Sequence, residues 1–226
     1  MTTAAVRHTP PTDTTAPARH RAAAWAGIAF VPLFVFAAFM VEPGPDSQTA
    51  SDAKITAWYS DSANRTASLI GAYLLIVAAL TFLAFVAGLH ERVRATRSGF
   101  PVAYRFMAWT GPLTAGLFIV GAMQFVGIIG NISFGDTPVP QADLLRQNIG
   151  YPFVFVAGAL VAAAFIATAA TLAARVGLFR TWQIWASYVL AVVLVFAVIF
   201  TPMAALPVWV LGTSIVLLRQ RTEPVA

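Results

Sequence analysis

The sequence has no cysteine and little charge. Without cysteine among its 226 residues, the chain has no disulfides, thiol catalysis or cysteine-ligated zinc. Charged residues make up 10% of the chain and apolar residues 59%, with a mean hydropathy of +0.77, whereas a soluble domain carries about 25% charged residues. This composition predicts an integral membrane protein.

Charged side chains are also missing from the interior of the apolar stretches. Proton-coupled transporters, pumps and voltage sensors usually need ionisable groups within their spans. Intramembrane hydrolysis needs paired carboxylates, a nucleophile with a base, or a metal. The chain also has neither a Walker loop nor a dinucleotide-binding glycine motif. We therefore expect a protein that is not an enzyme and binds no cofactor, while a carrier for an apolar or neutral compound stays open.

Six apolar stretches predict an all-α, polytopic bundle of transmembrane helices. The clearest runs from Ala67 to Leu89 without a charged side chain and, as a helix, is roughly 35 Å long, enough to cross a bilayer. The predicted spans are about 24–41, 67–89, 106–132, 152–174, 183–200 and 204–218. They form one domain, residues 23–221, between a disordered tail at 1–22 and a short tail at 222–226.

Two of these spans have alternatives. The first could instead be a signal peptide, although its apolar run is longer than a signal core and lacks a clear cleavage site. The last is short and contains Pro207, so a re-entrant segment is the alternative.

Between the first two spans, Ile55, Trp58 and Tyr59 have helical spacing and predict a short amphipathic helix on the outer surface.

The basic residues predict the orientation. With both termini inside, only Lys54, Arg65 and Arg146 lie outside. The inner face holds the others: Arg7, Arg19, Arg21, Arg92, Arg94, Arg97, Arg105, Arg175, Arg180, Arg219 and Arg221. This asymmetry follows the positive-inside rule and places both termini in the cytoplasm and the chain in the inner (plasma) membrane. The basic residues that set this orientation also account for the pI near 10.2. They therefore need no nucleic-acid partner to explain them, and none is expected.

Polar side chains in the third span are the candidate ligand-binding residues. Gln124 and Asn131 lie along one side of this helix, and Tyr73 on the second span is a plausible hydrogen-bond partner for Gln124. Together Gln124, Tyr73 and Asn131 could line an outward-facing polar pocket for a small ligand. The alternative is that they only join neighbouring helices, as single polar residues within spans usually do.

Other polar residues give weaker signals. The zinc-binding helix of metalloproteases has a histidine followed by a glutamate, and a second histidine four positions after the first. His90 and Glu91 match the start of this motif, but Arg94 occupies the position of the second histidine. No spacing among the outer acidic residues matches a calcium loop. We therefore predict no metal site.

Small residues suggest helix contacts. Glycine recurs in the third span, at positions that include 116 and 121, and alanine recurs in the fourth at 159, 163, 167 and 170. Such residues let backbones approach closely. With the amphipathic outer segment, they favour a protein that binds or regulates another membrane component, either another membrane protein or a second copy. The alternative function is a small carrier or permease subunit.

Three stretches carry a family resemblance. The first runs from Ile55-Thr-Ala-Trp-Tyr-Ser-Asp-Ser-Ala-Asn-Arg through Ala72-Tyr-Leu-Leu, and the second is Ala87-Gly-Leu-His-Glu-Arg-Val-Arg. The third runs from Leu206-Pro-Val-Trp-Val-Leu through Leu218-Arg. The chain resembles a family of small, six-span integral membrane proteins of unknown function from GC-rich bacteria. The resemblance implies a fold and a location and carries no site residues.

Overall fold

The described part of the chain is helical throughout. A computed structural model describes residues 16–41, 50–133, 149–197 and 201–219, and no strand occurs within these ranges. The helices are α1 (Ala16–Met40), α2 (Asp52–Ser60), α3 (Ser62–Arg92), α4 (Pro101–Ser133), α5 (Ile149–Arg175), α6 (Thr181–Val195) and α7 (Ala205–Arg219). A π-helical turn, Phe153–Gly158, lies in the first part of α5.

Close contacts at small residues show that neighbouring helices are antiparallel. Gly88, near the end of α3, packs against Ala23 near the start of α1. Gly71, near the start of α3, packs against Val41 at the end of α1. Likewise Gly111 and Gly121 of α4 lie against Phe165 and Val154 of α5, so consecutive helices of these pairs run in opposite directions.

This alternation collects arginines at one end of the bundle. The Arg175 guanidinium at the end of α5 lies 4.6 Å from the centre of the Phe100 ring, between α3 and α4. We call this the arginine-rich end. Its arginines are Arg21, Arg92, Arg94, Arg97, Arg105, Arg175, Arg180 and Arg219.

Within the described ranges, five helices are long and apolar enough to cross a membrane, which supports the predicted transmembrane bundle. They are Arg21–Met40, Ser62–Arg92, Pro101–Gly130, Ile149–Arg175 and Pro202–Arg219. The last predicted span therefore reaches a spanning length, at 18 residues. The fifth predicted span, 183–200, contains the shorter helix α6 of 15 residues, about 22 Å long. Its residues 198–200 lie outside the described ranges.

The helices extend beyond the predicted apolar cores. α1 begins at Ala16, within the segment expected to be a disordered tail, and α3 continues to Arg92. Alanine and arginine are strong helix formers, so a helix continues where hydropathy falls. The remaining parts of the predicted tails, 1–15 and 222–226, lie outside the described residues.

Aromatic rings from several helices form the core. The Phe82 and Phe165 ring centroids lie 5.7 Å apart, and Phe165 is the same distance from Trp209. Phe82 and Phe165 are completely buried, and Trp209 is 4% exposed. Edge-to-face pairs of this kind contribute about 0.5–1.5 kcal/mol beyond their burial. This cluster joins α3, α5 and α7.

The predicted amphipathic helix α2 is present and packs on the protein. Ile55 and Tyr59 are each 2% exposed and contact Ile128 near the end of α4. Arg65 Nη1 donates hydrogen bonds to the carbonyl oxygens of Tyr59 and Ser60, at 2.7 and 2.8 Å. The apolar side of α2 is therefore largely used within the chain.

Candidate anion-binding site

The predicted polar residues Tyr73 and Gln124 differ in their exposure. Tyr73 is 57% exposed and lies on the outward stripe of α3 with Ile70 and Val77. Gln124 is half-buried and packs over Gly150, where an added β-carbon would lie 3.1 Å from Gln124 Cβ. No hydrogen bond joins Tyr73 to Gln124 within the described residues. The third candidate, Asn131, lies on α4, but its side chain is outside the described part.

The small-residue faces are largely occupied by contacts inside the bundle. A β-carbon on Gly121 would overlap Val154 and lie 2.9 Å from the Gly150 carbonyl oxygen, whereas one on Gly116 would meet nothing within 4 Å. Ala159 and Ala170 of the alanine ladder are also buried. Gly121, Ala159 and Ala170 therefore serve contacts between helices of this chain, and Gly116 stays open.

An open basic cavity lies at the arginine-rich end. It has a volume of about 830 Å³ and is formed by the segment after α3 and the first two turns of α4. We call it the arginine pocket. It is lined by Arg94, Arg97, Ser98, Pro101, Tyr104, Arg105, Ala108 and Trp109.

Hydrogen bonds hold the segment that carries Arg94 and Arg97. The Thr96 hydroxyl, on a buried side chain, donates to the Val93 carbonyl oxygen at 2.6 Å, and the Phe100 amide donates to the Thr96 carbonyl oxygen at 2.8 Å. A 3₁₀ turn over Arg94–Thr96 shortens the connection to α4. The two arginines are thus presented by an ordered turn at the rim of the pocket.

The pocket has a net positive charge. Arg94 Nη1 lies 3.6 Å from Glu91 Oε2, but the two side chains are 68% and 58% exposed, so water weakens this pair. Arg97 and Arg105 make no ion pair with any described residue. Three guanidinium groups around one cavity favour an anion, and arginine is especially suited to phosphate because its planar donors form paired hydrogen bonds.

His90 packs against the wall of this pocket. Tyr104 is 9% exposed, its hydroxyl lies 3.4 Å from His90 Nδ1, and the two ring centroids are 4.3 Å apart. No group of three or more His, Cys, Asp or Glu side chains among the described residues could hold a metal ion. The observed neighbour of His90 is thus an aromatic residue of the arginine pocket.

Trp109 extends the pocket towards the lipid-facing side of α4. It is 75% exposed and shares this side with Phe106 and Leu113, which are 49% and 52% exposed. Tryptophan is enriched where the hydrocarbon core meets the headgroups. An indole beside arginines is therefore a suitable arrangement for a lipid headgroup and the upper part of its chains.

From the sequence we interpreted these arginines only as topology signals and did not predict the pocket. One signal was available, because Pro101, Tyr104, Arg105, Ala108 and Trp109 recur at i, i+3, i+4, i+7 and i+8. That spacing places them on one face of a helix. The contribution of Arg94 and Arg97 depends on the turn before α4 and could not be read from spacing.

Fold and composition together support a multi-pass helical membrane protein. No family model, curated protein or solved structure matches this chain.

Proposed function

We propose that this is a non-enzymatic membrane protein that binds another membrane component, and that this component is an anionic phospholipid. The observation that carries the proposal is the convergence of Arg94, Arg97 and Arg105 with the exposed Trp109 around one cavity. Basic pockets at the cytoplasmic ends of transmembrane helices bind anionic headgroups. The arginines bind the phosphate, and Trp109 contacts the chains below it.

The proposal includes an orientation. All six apolar helices cross the inner (plasma) membrane, and the arginine-rich end and both termini face the cytoplasm. The distribution of basic residues supports this orientation. It places the arginine pocket at the leaflet surface where anionic lipids give a negative potential. The proposal also includes that this chain belongs to the family of small, six-span bacterial membrane proteins that its sequence resembles.

The binding free energy from the three arginines limits how strongly the pocket can prefer an anionic lipid over a zwitterionic one. Each arginine near an anionic surface contributes about 1 kcal/mol, so three contribute at most about 3 kcal/mol. This corresponds to roughly a hundredfold preference for an anionic over a zwitterionic lipid. Screening by salt reduces the preference, so binding should weaken as ionic strength rises.

Lipid titration tests the proposal. Purified protein in a neutral detergent is titrated with phosphatidylglycerol or phosphatidylcholine, and its thermal unfolding is followed. We expect phosphatidylglycerol to raise the unfolding temperature more, because a ligand that binds the folded state stabilises it. The Arg97→Gln/Arg105→Gln variant should lose this difference.

The control is Lys54→Gln, which removes an exposed positive charge on α2, away from the arginine pocket. It should keep the full difference between the two lipids. Equal stabilisation of wild type by both lipids would contradict the proposal, as would an unchanged difference in the double arginine variant.

A further inference from the structure

A second cavity lies between α6 and α7. It is a groove of about 190 Å³, and we call it the α6–α7 groove. It is lined by Phe179, Trp182, Gln183, Ala186, Ser187, Leu190, Val208, Trp209, Gly212, Thr213 and Val216. Since α6 starts and α7 ends at the arginine-rich end, Trp182 and Val216 mark the side of the groove nearest that end, and we call this side its mouth. It shares no lining residue with the arginine pocket.

Ser187 in the groove, with the neighbouring Trp209 and Gln183 oxygen, has hydrogen bonds within the chain. The Ser187 hydroxyl donates to the Gln183 carbonyl oxygen at 2.7 Å and accepts from Trp209 Nε1 at 2.9 Å. Gln183 Oε1 accepts from the Arg180 amide at 2.7 Å. Most of the remaining lining side chains are apolar. An occupant that offers no hydrogen bonds, such as a hydrocarbon chain, matches this surface.

The groove is small and lies beside a glycine of α7. Its volume is about 190 Å³. Gly212 is exposed, and a β-carbon there would meet nothing within 4 Å. The missing side chain therefore leaves space that a narrow occupant can fill without displacing protein atoms.

Positive charge at the mouth indicates the headgroup. Arg180 immediately precedes α6, Arg219 ends α7, and both are exposed. Arg219 follows Val216 of the groove by three residues, so the two lie on the same side of α7. Trp182, also at this mouth, is 66% exposed. A phosphate attracted by Arg180 and Arg219 would position an attached acyl chain to enter the groove.

We infer that the α6–α7 groove binds one acyl chain of an anionic phospholipid whose headgroup lies between Arg180 and Arg219. This site is separate from the arginine pocket, and either can exist without the other. It fixes a lipid against α6, which has 15 residues. A bound chain would fill the space above Gly212 and cover the buried Ser187 and Trp209 pair.

Photocrosslinking tests this inference. The full chain is reconstituted in nanodiscs with phosphatidylglycerol carrying a diazirine in one acyl chain, and crosslinked peptides are identified by mass spectrometry. We expect higher yields at Ser187 and Leu190 than at Val77 and Leu80 on the lipid-facing side of α3. Uniform yields would overturn the inference, because ordinary bilayer lipid would then explain them.

Matched glycine variants make the test specific. Gly212→Leu fills the groove and should abolish the excess crosslinking. Gly127→Leu is the control, because Gly127 is also exposed with nothing within 4 Å of an added β-carbon, but lies on α4. Retained excess crosslinking in Gly212→Leu would overturn the inference.

A second variant keeps the test valid if Gly212→Leu fails to fold. Arg180→Gln/Arg219→Gln should lower groove crosslinking from the phosphatidylglycerol probe towards the level of a matched phosphatidylcholine probe. Unchanged crosslinking in this variant would contradict the headgroup assignment. Arg97→Gln/Arg105→Gln should leave groove crosslinking unchanged, which separates this site from the arginine pocket.

Discussion

Gly27 on α1 and Ser214 on α7 pack so closely that a β-carbon added to Gly27 would overlap the Ser214 hydroxyl. The same β-carbon would lie 2.6 Å from Phe85 Cδ2, in a completely buried ring of α3. Three helices therefore meet at one glycine. Because lipid tails are as apolar as a protein core, close packing of this kind does much to hold membrane helices together.

We predict that Gly27→Ala destabilises the bundle. The added methyl group must displace Phe85 or separate α1 from α7, and overpacking of this kind costs about 1–3 kcal/mol. Reversible unfolding in mixed micelles measures the loss. Gly127→Ala is the matched control, because its β-carbon would enter open space. Equal stabilities of the two variants would show that the helices are not packed as described.

Two buried serines, Ser187 on α6 and Ser214 on α7, should respond differently to the same substitution. Ser187→Ala removes the acceptor of the buried Trp209 indole N–H, and an unpaired buried donor costs about 1–3 kcal/mol. The Ser214 hydroxyl is buried and has no hydrogen-bond partner in the described part of the chain. Ser214→Ala should therefore be neutral or slightly stabilising. Unfolding measurements that gave equal losses would contradict this assignment.

The lack of cysteine permits a direct test of the proposed topology. Exposed positions Ser98, Thr181, Lys54 and Ala204 can each be changed to cysteine and treated with a membrane-impermeant maleimide. Lys54→Cys and Ala204→Cys should react in intact cells. Ser98→Cys and Thr181→Cys should react only after permeabilisation. If Thr181→Cys and Ala204→Cys behave alike, α6 does not cross the membrane.

Hydropathy predicted which parts of the chain form long apolar helices, because a span must be apolar over its whole length. It did not predict which side of each helix faces the core. Tyr73 was expected beside Gln124, but it lies on the outward stripe of α3. In a soluble helix the polar side would mark the exterior. In a span the lipid-facing side is also apolar, so periodicity gives no such signal.

Close packing was equally hard to predict from residue type alone. Gly116 and Gly121 looked equivalent in the sequence, yet only Gly121 lies against another helix. Which glycine faces a neighbour depends on the rotation of α4 and on the π-helical turn in α5, near Val154. The arginine pocket also depends on tertiary structure, because a turn brings Arg94 and Arg97 to the start of α4.

The central claim is that the arginine pocket binds an anionic phospholipid, and native mass spectrometry tests it most directly. The wild-type protein and the Arg97→Gln/Arg105→Gln variant are extracted gently from the same membranes, and the retained lipids are identified. We predict that wild type retains anionic phospholipid in excess of its membrane abundance and that the variant loses at least one such lipid. Identical lipid retention by both proteins, or retention of zwitterionic lipids alone, would contradict the claim.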